Sequence, residues 1–182
     1  MGSRFVYFAG DRLSSAELSA ACLDGHLVGL GDAYVPADIV ETKALRAASL
    51  DELLAETLAA THQSAAWVLG VIDEPPPRHF VQRAVAHRIH HVVDRRLVYR
   101  DPRIDPDDVI IVGGVRVSSP PRTLADLART SAPDSRLLAA RWARDDPAVA
   151  DAALAWFDRH RSLPHKREAS RLLRAAQDDV TR

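Results

Sequence analysis

The alternation of apolar and polar positions changes period along the chain, and each change marks a new element. Ser14-Ser15-Ala16-Glu17 has capping-box form, in which the Ser14 hydroxyl accepts from the Glu17 amide and the Glu17 carboxylate reaches back. A helix over Ser15–Leu23 follows and stops at Gly25. The apolar stretches His26–Leu30 and Ala33–Val35 flank Gly31-Asp32, which predicts a tight hairpin. Ser49-Leu50-Asp51-Glu52 repeats the capping-box form, and Leu50, Leu53, Leu54, Thr57 and Leu58 then share one helical face. That face is expected to pack on a second helix around Ser64–Leu69, anchored by Trp67 and ended by Gly70.

Asp73–Pro77, with three prolines, breaks the helical period. Beyond it the pattern is that of strands: His79–Ala86, Leu97–Arg100, Val109–Val112 and Val115–Ser118, the last two joined by Gly113-Gly114 as a hairpin. Ser118 or Ser119 then caps a helix whose first turn holds Pro120-Pro121, with Leu124, Leu127 and Ala128 facing the sheet. From Pro133 to Gln177 the helical period dominates. Val149, Ala152, Ala153, Trp156 and Phe157 make one apolar stripe, and Ala169, Leu172, Leu173 and Ala176 another. The fold class is therefore α+β. It divides into a small helix–hairpin lobe (1–48), a central mixed α/β lobe with short antiparallel strands (49–132) and a helical C-terminal segment (133–182).

Composition narrows the function classes. The 182 residues are 47% hydrophobic and 27% charged, as in an ordinary globular protein. Apolar runs fall short of membrane-spanning length, there is no secretory leader pattern, and the single Cys22 has no internal disulfide partner, so a cytoplasmic protein is expected. Cys22 itself reads as a small buried residue. The net charge of −1 is unevenly spread: residues 1–77 sum to −7 and residues 78–103 to +5. A basic segment of that kind suits a phosphate backbone, an acidic protein or plain solvent. Arg95, Arg96 and Arg100 are its candidate nucleic-acid contacts, with Arg167, Arg171 and Arg174 on one face of the last helix. Arg12 would be the nearest cation of an N-terminal wing.

Sharper chemistry is incomplete. His87-x-x-His90-His91 has zinc-like spacing but lacks a full ligand set. Asp32 followed by Glu41-x-Lys43 has the carboxylate–carboxylate–lysine order of a Mg²⁺-dependent nuclease, without a clear core strand beneath it. Ser64 lies in no Gly-x-Ser-x-Gly elbow, and neither it nor His62 is expected to be catalytic. No catalytic residue, metal ligand or cofactor is therefore assigned.

Two segments carry a resemblance: Thr61–Val71 (THQSAAWVLGV) and Val117–Thr130 (VSSPPRTLADLART). In this order they resemble the AbiEi antitoxin family of bacterial type IV toxin–antitoxin systems. Ser64, Trp67 and Gly70 belong to the first motif. The second matches at Gly114, Val115, Val117, Ser118, Pro120, Arg122, Thr123, Leu124, Asp126 and Leu127. Arg122 and Asp126 stand four apart, and a structural ion pair is expected there. LPHKREASRLLRA near the C-terminus is similar to the last helix of short actinobacterial members. The resemblance implies an antitoxin that counters a nucleotidyltransferase-type toxin, without necessarily forming a stable complex, and represses its own operon by binding promoter DNA. It also implies an N-terminal winged helix-turn-helix. Here only a helix and hairpin are present and the segment is acidic, so a packing remnant and a working DNA reader both stand. The alternatives are a protein–protein module without DNA affinity and a Mg²⁺-dependent nuclease. Oligomeric state is left open.

Overall fold

The computed structural model describes residues 5–89, 94–160 and 162–178. Helix α1 (Ser15–Leu23) starts as the sequence demands: Ser14 Oγ accepts from the Glu17 amide (3.3 Å) and Glu17 accepts from the Ser14 amide (2.8 Å). Cys22 on α1 is half-buried rather than buried. Strands β1 (Leu27–Leu30) and β2 (Ala33–Pro36) pair antiparallel, and Tyr7 bridges Tyr34 on β2. Gly31 at the turn adopts φ +57, and a Cβ there would meet Ser49 and Trp67 within 3 Å. The hairpin therefore touches the core through the backbone of a residue that has no side chain.

The next expectation fails. Ser49 opens no helix. It is the C-cap of α2 (Lys43–Ala48), and its hydroxyl donates to the Arg46 carbonyl. Helix α3 is a single turn, Asp51–Leu54, broken by Ala55 at φ +47. Leu58 does not continue the helical face but begins strand β3 (Leu58–Ala60), whose three residues are all buried. The four-residue spacing of Leu50, Leu54 and Leu58 imitates a helix. The pairing of β3 on both of its edges decides otherwise.

Helix α4 (His62–Val68) follows, with Gly70 past its end at φ +80. Then come β4 (His79–Arg83), β5 (Leu97–Arg100), a 3₁₀ turn at Pro106–Asp108, β6 (Val109–Val112) and β7 (Val115–Ser118). The sheet order is β5-β4-β3-β7-β6. The expected β6/β7 hairpin is antiparallel; the unforeseen β3 pairs antiparallel with β4, and two parallel pairings accompany them (β4/β5 and β3/β7).

Four helices complete the chain: α5 (Pro120–Arg129), α6 (Pro133–Asp145), α7 (Pro147–Arg159) and α8 (Lys166–Asp178). Each of α5, α6 and α7 takes proline in its first turn, where the missing N–H costs nothing. Helix α5 touches α4 and all three later helices. One continuous core results, running from Leu30 and Val35 through Trp67, Val81 and Leu124 to Phe157 and Leu173. Among the described residues no helix is long and apolar enough to cross a membrane.

Candidate functional site

The joint between β7 and α5 organises a buried polar network. Ser118 Oγ and Thr123 Oγ1 lie 2.6 Å apart, and Thr123 donates to the Ser118 carbonyl (3.0 Å), closing the turn that Pro120-Pro121 rigidifies. Within the first turn of α5, Arg122 faces inward. Its guanidinium donates to Asp126 (2.9 Å) and to Asp108 at the end of the 3₁₀ turn (2.6 Å), and it lies over the Trp156 ring at 4.9 Å. Trp156 Nε1 donates to the other Asp108 oxygen (2.7 Å). Asp126 also meets Arg129 at 3.3 Å. The expected Arg122–Asp126 pair thus exists, within a larger cluster that ties α5, α7 and the 3₁₀ turn together. Asp108 and Trp156 were not foreseen as its members, because they lie 14 and 48 residues away from their partners.

Beside this network opens a cleft of about 490 Å³, with Gln82, Arg100, Arg103, Arg122, Arg129 and His160 among its wall residues. A smaller recess of about 250 Å³ adjoins it, lined by His62, Arg100, Asp126, Arg129 and His165. His62 is almost fully buried, sits at φ +50, stacks on Phe80 and contacts Thr61 Oγ1 at 3.1 Å. Burial, reinforced by the surrounding arginines against the pull of Asp126, lowers its pKa to about 4, so its ring is neutral at pH 7.

The first motif is structural at its serine. Ser64 Oγ accepts from the Phe80 amide (2.9 Å) and lies 3.2 Å from His79 Nδ1, while His79 Nε2 stands 3.4 Å from Asp32. That order resembles a hydrolytic relay, but Ser64 is wholly buried and already engaged, so no substrate reaches it. Burial lowers the His79 pKa despite Asp32. The chain of contacts instead seats the Gly31-Asp32 turn on β4. Trp67 packs beneath, fully buried, and Gly70 ends α4 as expected.

The basic segment is less free than its charge suggests. Arg78 donates to the Arg95 and Leu97 carbonyls, and Arg83 donates to the carbonyls of Val85, Ala86, His87 and Asp101. Arg96 is held by Asp94 (2.7 Å) and Asp32 (3.3 Å). Arg95, just before the edge strand β5, and Arg100, at its end, are both exposed. Arg167, Arg171 and Arg174 are exposed along α8, and Arg12 is exposed in the N-terminal lobe. His165 lines both the recess holding Arg100 and a shallow groove holding Arg167 and Arg171. The structure therefore brings Arg100 beside the start of α8, and leaves Arg95 and Arg96 near the hairpin turn.

Of the other candidates, His90 and His91 lie outside the described residues. Asp32 engages His79 and Arg96, whereas Glu41 engages Arg46. Among the described residues no three His, Cys, Asp or Glu side chains gather as a metal site requires.

Comparison with known proteins bears on these features. No curated protein matches the chain. A family model for the AbiEi antitoxin C-terminal domain matches residues 58–174, a span running from β3 through most of α8 and including the whole Arg122 network. That span is more than half of the sequence, and the chain accordingly belongs to the AbiEi antitoxin C-terminal domain family.

Proposed function

We propose that this antitoxin-family protein counters a nucleotidyltransferase-type toxin and represses its own operon by binding promoter DNA. In this reading it binds rather than catalyses, and it acts in the cytoplasm. The observation that carries the DNA contact is the run of exposed cations from the edge strand to the last helix: Arg95 and Arg100 at the two ends of β5, then Arg167, Arg171 and Arg174 on α8. Arg96 joins them after exchanging part of its internal pairing for phosphate. The acidic N-terminal part, residues 1–77, opposes such contact, since it carries a net −7 and phosphates repel that charge. Its hairpin serves to pack against the core.

The test is a gel-shift titration of promoter DNA at two salt concentrations. Arg95→Ala/Arg96→Ala should weaken binding to all sequences, and should lower the salt slope by roughly one unit for each phosphate that is no longer neutralised. Binding unchanged in that double variant but abolished in Arg12→Ala would move the reader to the N-terminal wing. A second reading, a protein–protein module without DNA affinity, is favoured by one observation. Exposed Phe5 and Val40, with Ile39 and Leu45, line an apolar groove of about 630 Å³. It predicts no shift at either salt concentration.

A further inference from the structure

We propose that the arginine-lined cleft between β5, α5 and the start of α8 is a binding site for a phosphate monoester, with Arg100 and Arg129 as its anion-holding residues. The charge distribution in the wall points there. Four arginines line the larger cleft. Three carboxylates share the wall: the buried Asp108 and Asp126 are committed to Arg122, which meets them at 2.6 and 2.9 Å, and the exposed Asp105 accepts from the Asp107 amide, so the arginines outnumber the acids. Among the described residues Arg100 and Arg103 make no ion pair, and Arg129 has only the 3.3 Å contact to Asp126 and a carbonyl of Pro164. Like charges held close in a partly dry recess repel one another, and an oxyanion between them removes that cost.

Backbone geometry gives an independent pointer. Among the described residues three other than glycine have positive φ, and two of them, His62 (φ +50) and His165 (φ +57), line the same recess. Side chains in that region are strained, and such strain persists where the surroundings hold it, commonly at ligand sites. Burial and the neighbouring cations Arg122 and Arg100 also lower the Arg129 pKa against the pull of Asp126, the signature of a guanidinium short of counter-charge. The neutral His62 ring offers a hydrogen-bonding atom without adding a fifth charge. At about 490 Å³ the cleft falls in the range that holds small organic ligands. The ester could be a free nucleotide or the 5′-phosphorylated end of a nucleic acid strand.

Arg100 belongs to both this site and the proposed DNA face, so the two are told apart by Arg129→Gln, which tests only the cleft, and by Arg95→Ala/Arg96→Ala, which test only the promoter contact. The full chain is titrated calorimetrically with inorganic phosphate, adenosine 5′-monophosphate and adenosine, and with a dinucleotide carrying either a 5′-phosphate or a 5′-hydroxyl. The expected result is binding of the phosphorylated probes and none of adenosine. Arg100→Ala, at an exposed position, should weaken that binding about tenfold, as removal of one charge-assisted hydrogen bond does. Arg129→Gln should do the same or more, and Arg144→Ala, far along α6, should leave it unchanged. Tighter binding of the 5′-phosphorylated dinucleotide than of the mononucleotide assigns the site to nucleic acid ends; the reverse order assigns it to free esters. No heat with any phosphorylated probe, or binding indifferent to both Arg100→Ala and Arg129→Gln in variants that melt like the parent, overturns the proposal.

Discussion

His62 combines three costs in one residue: a positive φ, near-complete burial and a titratable ring. Its pKa falls from 6.5 to about 4 because burial disfavours the charged form. The unfolded chain therefore takes up the proton first as pH drops. Stability from this residue is complete above about pH 6.5 and is lost progressively as pH falls through about 4, reaching roughly 3 kcal/mol. His62→Asn removes the titration, and asparagine tolerates positive φ better than most residues. Urea unfolding measured from pH 7 to pH 4 should show a flatter decline for the variant than for the parent. Parallel declines would mean that His62 does not carry the acid sensitivity. The sequence hints at none of this. The His62 ring acquires its environment from α5 and β5, through Asp126, Arg129 and Arg100.

At the scale of elements, α7 is the brace. Trp156 is 3% exposed, donates to Asp108 and lies against Arg122, so one side chain joins α7 to the 3₁₀ turn and to α5. Trp156→Ala should cost about 3–5 kcal/mol, read as a lowered midpoint in urea. An unchanged midpoint would show that the ring contributes no packing. This helix was legible from its stripe of Val149, Ala153, Trp156 and Phe157, as were α1 from its capping box and the β6–β7 hairpin from Gly113-Gly114. All three are local patterns. Helix α2 and strand β3 were not legible. Strand β3 is three residues of Leu and Ala whose state is set by pairing with β4 and β7, distant in sequence. Likewise the Arg122–Asp126 pair was legible from its four-residue spacing, whereas Asp108 and Trp156 enter the same network only through tertiary packing.

Over the whole molecule, oppositely charged parts are joined rather than separated. The acidic N-terminal part, net −7, reaches the basic segment, net +5, where Asp32 meets Arg96 at 3.3 Å. Of the exposed cations, Arg95, Arg100, Arg167, Arg171 and Arg174 lie by β5 and on α8, on the family-matched part of the chain, whereas Arg12 and Lys43 lie outside it. An antitoxin role is the coarse function that family membership supports, and the finer functions depend on it. The direct measurement is growth of cells carrying the reading frame adjacent to this one under an inducible promoter, with and without this protein. An antitoxin role predicts growth arrest on induction of the neighbour alone and recovery when this protein is co-expressed. Arrest that persists at full expression of a folded protein would contradict it.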